Sequence, residues 1–292
     1  MKLITIKATP HMILGLLKCI NENEGNIPNM KNCIHLYLQK LSGKEKQRNI
    51  RSDVYGVALP SLRKLKLIRG HGRLLRLNSN GKLLLRSHSA GGIDKFKHQF
   101  GRLLLDIDER NCKIVSSLVD ISSIKRSDSV SHGRLVKALV EKGIETREKD
   151  ERLRKWLPFL KFVSLIREVK ENTLQVNFEL LESYKMERTI VSSEAFEEIV
   201  FEEYQKLEIK EGVYVPICML SERTCARLIE RGDSFTTFDF ERYFIALLNK
   251  YSSLEKKKIL LSQPGKREEE GMYIDNTYYY FVSIYDVRES KA

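Results

Sequence analysis

The sequence predicts a mainly α-helical fold with small β-wings, an α+β arrangement of helix-turn-helix subdomains in tandem. A phrase of the form LPxLxxxxLIR occurs twice, at Leu59–Arg69 and at Leu157–Arg167, 98 residues apart. Such self-similarity indicates a repeated structural unit. A predicted helix ends within each copy, and residues that favour short strands and turns follow it. The chain of 292 residues is long enough for two or three small domains.

The first module is assigned to residues 1–90. Thr9 is a suitable N-cap with Pro10 at the first helical position, which predicts a helix over Met12–Asn21. A second helix is predicted over Asn29–Leu41. Its apolar face is formed by Ile34, Leu38 and Leu41.

A third helix follows the basic loop Ser42–Arg48 and leads into the first copy of the repeated phrase. Its apolar residues are Val54, Leu59, Leu62 and Leu65. Gly70, Gly72 and the pair Asn80-Gly81 indicate turns, and the apolar residues between them and Leu85 favour short strands. Two helices joined by a short turn and followed by a hairpin are the order of a winged helix.

The second module, residues 91–184, repeats this order. A helix is predicted over Ser131–Lys142, ended by Gly143, and the next one from about Thr146. That next helix carries Leu153, Trp156 and Leu160. A turn over Glu168–Asn172 then leads to an alternating strand over Thr173–Phe178. This module is either a second winged helix or a linker.

The third module, residues 185–292, lacks the repeated phrase but keeps the element order. Helices are predicted over Ser221–Glu230 and Thr236–Tyr251. Strands are predicted over Lys258–Leu261 and Met272–Tyr285.

Charge is distributed unevenly between the modules. The net charge is +13 in residues 1–90, +3 in residues 91–184 and −4 in residues 185–292, against +12 for the whole chain. Lys and Arg neutralise phosphates and thereby drive sequence-independent binding to nucleic acids. We therefore expect double-stranded DNA as the partner and the first module as its main contact, rather than a basic surface kept only for solubility.

The residues that begin a recognition helix contact base edges, where arginine matches guanine, asparagine matches adenine and aspartate accepts from cytosine. In the first module the candidates are Arg48, Asn49, Arg51, Ser52, Asp53 and Tyr55 at the helix start, Lys2, Lys7 and Thr9 in the arm, and the phosphate contacts Arg69, His71, Arg73, Arg76 and Lys82 in the wing. Further candidates are Arg147, Lys149, Asp150, Arg152 and Lys155 in the second module and Thr236, Thr237 and Arg242 in the third. The alternatives are solvated helix starts whose acids complement the dipole, and an arm that pairs with the wing as a strand.

No catalytic or metal-binding signature is found in the sequence. The patterns GxxxxGK[ST], HExxH and GxSxG are absent, and the acid-x-lysine pairs at Glu168 and Glu289 have no partner aspartate on a preceding strand. We expect no catalytic residue, no metal and no cofactor in this chain.

The cysteines and the hydropathy indicate the compartment. Five cysteines without a CxxC pair favour thiols over a disulfide framework or a zinc site. No apolar run is long enough to span a membrane, and no signal-peptide pattern is seen at the start. We expect a cytoplasmic protein of a bacterium or archaeon, without membrane association.

The two LPxLxxxxLIR copies, the Gly-rich wing after the first and the basic arm before Thr9 resemble the DNA-recognition region of type IIS restriction endonucleases of the FokI and BpuJI kind. The resemblance covers about the first 180 residues at the level of modules. It implies sequence-specific recognition of duplex DNA by helices and an arm, as a monomer. It also implies a nuclease domain, covalently linked or on a separate subunit, which alone uses Mg²⁺.

Three other functions remain open at this point. The chain is alternatively a tandem winged-helix regulator of transcription or plasmid replication, which would act as a dimer on a palindromic site. A nuclease with an unrecognised active site in residues 185–292 is the second, and a protein-interaction scaffold is the third.

Overall fold

The computed structural model describes residues 6–42, 49–70, 75–125, 129–146, 151–186, 191–208, 213–252, 257–263, 271–274 and 277–286. In this part of the chain helices dominate and all paired strands are antiparallel. The predicted α+β class with small sheets is therefore confirmed. The chain divides into two compact units, Met1–Glu187 and Arg188–Ala292. The first unit contains both the first and the second predicted module.

The first module begins with helices α1 (Pro10–Glu22) and α2 (Ile27–Ser42). Thr9 is the N-cap of α1 and Pro10 its first residue, as the sequence predicts. Ile34 and Leu38 are buried, but Leu41 is 47% exposed. Leu41 lies in the last turn of α2, where the apolar face extends beyond the core.

A disulfide joins α1 to α2, between Cys19 and Cys33, whose Cα atoms are 5.6 Å apart. The prediction of thiols is wrong for this pair, because the packing of the two helices brings cysteines distant in sequence into bonding geometry. Cys112, Cys218 and Cys225 are thiols.

The third helix of the first module starts at Ile50, widens into a π-helical segment over Ser52–Ala58 and continues as α3 (Leu59–Lys64). A hairpin with strands of two residues follows, in which β1 (Ile68–Arg69) pairs with β2 (Arg76–Leu77). The described elements follow the predicted order of helices and hairpin, and the predicted loop between α2 and the third helix lies outside the described residues from position 43 to position 48.

The predicted turn at Asn80-Gly81 and the strand up to Leu85 are wrong. These residues form the start of α4 (Ser79–Ile107), because the side chain of Asn78 accepts a hydrogen bond from the backbone N–H of Gly81, 3.0 Å away, and caps a helix. A Cβ at residue 81 would lie 2.4 Å from the carbonyl oxygen of Leu67, so only glycine allows this helix start to approach the hairpin.

Helix α4 crosses the predicted boundary between the first and second modules. Gly91 and Gly92 have non-helical backbone angles and kink the helix, so that the predicted boundary at residue 90 falls next to the kink. A π-helical segment over Asp108–Cys112 then leads to the second module. Its elements are α5 (Ile114–Lys125), β3 (Val130–Ser131), α6 (His132–Glu141), α7 (Glu151–Phe162), β4 (Ile166–Lys170), β5 (Thr173–Val176) and α8 (Phe178–Met186).

The second module contains a three-stranded sheet of order β3-β5-β4. Helix α6 ends at Glu141, and Gly143, just after its C-cap, has a left-handed backbone (φ +75°), which confirms the predicted stop. The predicted apolar side chains of α7 are all fully buried, and Trp156 stacks on Phe159 within this core.

The second unit is built from α9 (Ser193–Leu207), β6 (Val215–Pro216), α10 (Ile217–Glu230), α11 (Thr237–Ser252), β7 (Lys257–Ser262), β8 (Met272–Ile274), β9 (Thr277–Tyr279) and β10 (Phe281–Asp286). Its main sheet has the order β6-β10-β7, and β8 and β9 form a separate hairpin between β7 and β10. An aromatic cluster packs this unit, including Phe196, Phe235 and Phe240. The predicted helices and the strand at residues 258–261 are confirmed.

Asp108 is fully buried in the first unit and connects two parts of the second module. Its carboxylate accepts hydrogen bonds from the backbone N–H groups of Ile114 and Val115, at 3.1 and 2.8 Å, and from the Trp156 indole at 3.3 Å. Burial raises the pKa of Asp108 to about 6, while these hydrogen bonds act in the opposite direction.

We predict that Asp108 makes the first unit less stable as the pH rises from 4 to 7. Its folded-state pKa lies above its unfolded value, so the protonated form is favoured by folding and this contribution is lost as the pH passes through about 6. The decrease in unfolding free energy amounts to about 3 kcal/mol at most. Urea titrations at pH 4.5 and 7 should show a smaller decrease for Asp108→Asn, which stays neutral. Equal decreases for both proteins would contradict the assignment.

Candidate nucleic-acid interface

The third helix of the first module exposes a polar first turn. Asn49 precedes it, and its side-chain oxygen accepts a hydrogen bond from the Arg51 backbone N–H, 2.8 Å away. Arg51, Ser52 and Tyr55 are exposed on this helix, as is Ile50. The predicted contact residues Asn49, Arg51 and Ser52 thus share one surface, while Arg48 lies outside the described residues.

Asp53 does not belong to that surface. It is only 2% exposed, and its Oδ2 lies 2.9 Å from Nδ1 of His35 on α2. The other ring nitrogen of His35 lies 2.9 Å from the side-chain amide nitrogen of Gln39. The prediction that Asp53 contacts a base is therefore replaced by a structural role, because its carboxylate holds the helix onto α2.

The described end of the arm, residues 6–9, packs against the third helix. The hydroxyl of Ser61, within the repeated phrase, accepts hydrogen bonds from the backbone N–H groups of Lys7 and Ala8, at 3.1 and 2.9 Å. Ile6 and Ala8 are buried, whereas Lys7 and Thr9 are exposed. Lys2 lies outside the described residues, so the structure fixes the direction of the arm only from Ile6 onward.

The wing presents cations at its base. Arg69 and Arg76 lie directly opposite each other in the β1–β2 register. Arg63 donates a hydrogen bond from Nη2 to the carbonyl oxygen of Gly70, 3.0 Å away. The predicted contacts His71 and Arg73 lie outside the described residues.

Lys64 lies close to the arm and was not among the predicted contacts. Burial lowers its pKa from the ordinary value, and the neighbouring charge of Lys7 lowers it further. Tyr55, predicted from the sequence as a base contact, is exposed, and the ammonium of Lys31 lies 5.1 Å from its ring centroid. The spacing of the sequence shows that both residues lie on the third helix. It does not show that Lys7 of the arm and Lys31 of α2 are their neighbours.

In the second module the described candidate residues have internal partners. Arg152 donates a hydrogen bond from Nη2 to the backbone carbonyl of Glu145, 3.2 Å away, and Lys155 pairs with Glu151 at 2.5 Å. Arg154 on the same helix is exposed and was not among the predicted contacts. The remaining candidates, Arg147, Lys149 and Asp150, lie outside the described residues.

In the third module the candidate residues surround Asp239 at the start of α11. Thr236 is 2% exposed, and its backbone N–H and hydroxyl donate hydrogen bonds to Asp239 Oδ2 at 2.9 and 2.7 Å. The guanidinium of Arg242 pairs with the other carboxylate oxygen of Asp239. Thr237 is half-buried at the first helical position. Thr236 is thus a helix cap inside the protein, and not the surface residue that the sequence predicted.

No protein-family model, curated protein sequence or solved structure matches the chain. Within the described ranges, no helix is both long and apolar enough to cross a membrane. Those same residues include no cluster of three or more His, Cys, Asp or Glu side chains arranged to hold a metal ion.

We predict that Asp53→Ala lowers the unfolding free energy of the first unit by about 1–3 kcal/mol, because it leaves the buried imidazole of His35 without its acceptor. The neighbouring substitution Ser52→Ala is the matched control and should change stability by less than about 0.5 kcal/mol, since Ser52 is exposed. Chemical denaturation measures both. A stable Asp53→Ala variant would instead favour the exposed position that the sequence suggested.

Proposed function

We propose that the chain recognises double-stranded DNA sequence-specifically, as a cytoplasmic array of winged-helix modules in which the first module supplies the main contact. The observation that carries this proposal is the exposed first turn of the third helix, with Asn49, Arg51 and Ser52 side by side. The sequence that follows is positively charged, because residues 54–93 contain eight Lys or Arg and no Asp or Glu. Phosphates supply affinity and base edges supply specificity in such interfaces.

The element order supports the winged-helix assignment. The second module and the second unit share the order helix, strand, helix, helix, strand, strand, with the last strand in the middle of the sheet, once the separate β8–β9 hairpin between β7 and β10 is set aside. In both, the first residue of the helix after the first strand donates its backbone N–H to the carbonyl of the residue just before the central strand. His132 donates its backbone N–H to Asn172 at 2.8 Å, and Ile217 donates to Tyr280 at 2.8 Å. The first module has the three helices and a short wing.

In this proposal the third helix of the first module enters the major groove with its first turn towards the bases. Arg51 then meets guanine as a fork, while Ile50 and Tyr55 offer apolar contact to a thymine methyl group. The contact between His35 on α2 and Asp53 on the buried side of the third helix fixes the orientation of that helix. Lys7 and the wing flank the helix and contact the backbone.

We further propose that the chain is the recognition part of a type IIS restriction endonuclease, acting as a monomer with a linked or separate nuclease domain that uses Mg²⁺. The support is the resemblance carried by residues 59–69 and 157–167. The order of the modules around these residues is consistent with it. A dimer on a palindromic site would favour a regulator of transcription or plasmid replication instead.

We predict that Arg51→Ala relaxes base preference at one position and costs about 1–3 kcal/mol of binding free energy there. The measurement is selection of bound sites from random duplexes, followed by binding assays on single-base variants of the selected site. Arg154→Ala, a change to an exposed arginine in the second module, serves as control and should leave that preference unchanged. Uniform weakening on all sequences would reassign Arg51 to a phosphate contact, and absence of duplex binding by the wild type would refute the proposed function.

A further inference from the structure

The hydroxyl of Ser61 uses its whole hydrogen-bonding capacity inside the first module. Ser61 is 1% exposed. Its Oγ accepts hydrogen bonds from the backbone N–H groups of Lys7 and Ala8, at 3.1 and 2.9 Å, and donates one to the backbone carbonyl of Val57 at 2.6 Å. A serine hydroxyl has one donor hydrogen and two acceptor lone pairs. This single side chain therefore joins two consecutive residues of the arm to the third helix.

The link reaches the part of the third helix that precedes the repeated phrase. Val57 belongs to the π-helical segment Ser52–Ala58. This segment continues without a break from the first turn of the helix, in which Arg51 is exposed. Because Arg51, Val57 and Ser61 lie on one continuous helix, the bonds of Ser61 hold the arm at a fixed place relative to the first turn.

The side chains of the arm divide between the core and the surface. Ile6 and Ala8 are buried, whereas Lys7 between them is exposed. Burial lowers the pKa of Lys64 on the third helix, and the charge of Lys7 lowers it further. The ammonium of Lys7 thus lies near the third helix. The hydrogen bonds to Ser61 anchor the backbone of a residue whose cation is at the surface.

The second module has an aromatic side chain at the matching position. Phe159 occupies the place of Ser61 in the repeated phrase. It is fully buried and stacks on Trp156. A phenyl ring offers no hydroxyl to a backbone N–H. The position therefore serves core packing in the second module and anchors the arm in the first.

We propose that Ser61 is a positioning residue for DNA binding, whose hydroxyl holds the arm on the third helix so that Lys7 contacts a backbone phosphate beside the bases that this helix reads. This inference rests on the proposed function and assigns how the arm contributes to it. An arm that is held in advance loses less conformational entropy on binding than one that DNA must order. Its phosphate contact also sets the register and orientation of the helix on the duplex.

The test compares the salt dependence of binding to a fluorescein-labelled mixed-sequence duplex. Lys7→Gln removes the phosphate contact itself and should reduce the slope of log affinity against log salt by about 0.9. Ser61→Ala keeps Lys7 but releases the arm, and should cause about the same reduction. The double variant should also lose only about 0.9, because both changes remove one and the same contact.

Two controls separate the arm from general damage to the fold. Ser117→Ala changes a buried serine of α5 in the second module and should leave the slope unchanged, and thermal melts establish which variants fold. Amide hydrogen exchange observes the arm directly, without DNA. The amides of Lys7 and Ala8 should be protected in the wild type and should exchange about tenfold faster in Ser61→Ala.

The outcomes separate the inference from the proposed function. A reduction near 1.8 in the double variant, twice the value for one phosphate, would mean that Ser61 and Lys7 act independently and would overturn the inference. An unchanged slope for Lys7→Gln or for folded Ser61→Ala, or an equal reduction for Ser117→Ala, would overturn it while duplex binding stands. Unprotected Lys7 and Ala8 amides in the wild type would overturn it even if Ser61→Ala does not fold. Failure of the wild type to bind the duplex at any salt concentration would refute the proposed function and this inference together.

Discussion

The way in which the third helix ends determines where the wing lies in the first two modules. Lys66 and Ser164 occupy the same place in the repeated phrase, and both have left-handed backbone angles, with φ of 54° and 60°. The residue after each of them donates its backbone N–H to a carbonyl in the last helical turn, Leu67 to Leu62 at 2.9 Å and Leu165 to Leu160 at 3.0 Å. These bonds satisfy carbonyls that a helix end leaves open and turn the chain sharply into the first wing strand.

A second backbone hydrogen bond, found in both modules, joins the end of the hairpin to this turn. Asn78 and Asn177 donate their backbone N–H groups to the carbonyls of Leu67 and Leu165, at 3.2 and 3.0 Å. The side chain of each asparagine then accepts from a backbone N–H three residues on and caps the following helix. The apolar residues of the repeated phrase are buried around this frame. The phrase therefore recurs because one helix end, one strand start and one cap must fit together.

How much of this the sequence could predict follows from the range of each interaction. The stop at Gly143 and the cap at Thr9 are local, and both were predicted correctly. The prediction of a turn at Asn80-Gly81 was wrong, because the side chain of Asn78 caps a helix that begins at Ser79 and includes both residues. Asp53 appeared to be a surface residue because its partner His35 lies 18 positions earlier on another helix. The disulfide was missed for the same reason, since nothing in the spacing of Cys19 and Cys33 shows that two helices bring them together.

The same frame carries different side chains in the two wings. In the second module Arg167 donates to the side chain of Gln175, and Glu168 pairs with Lys161 and accepts the Asn172 backbone N–H. In the first module Arg76 stands in the place of Gln175, and Gly70 stands in the place of Glu168. The hydrogen bonds from Asn78 to Lys66 and from Arg63 to Gly70 hold the base of this wing. The frame therefore fixes the backbone at the base of both wings, and the residues at these two places set the charge that each wing presents.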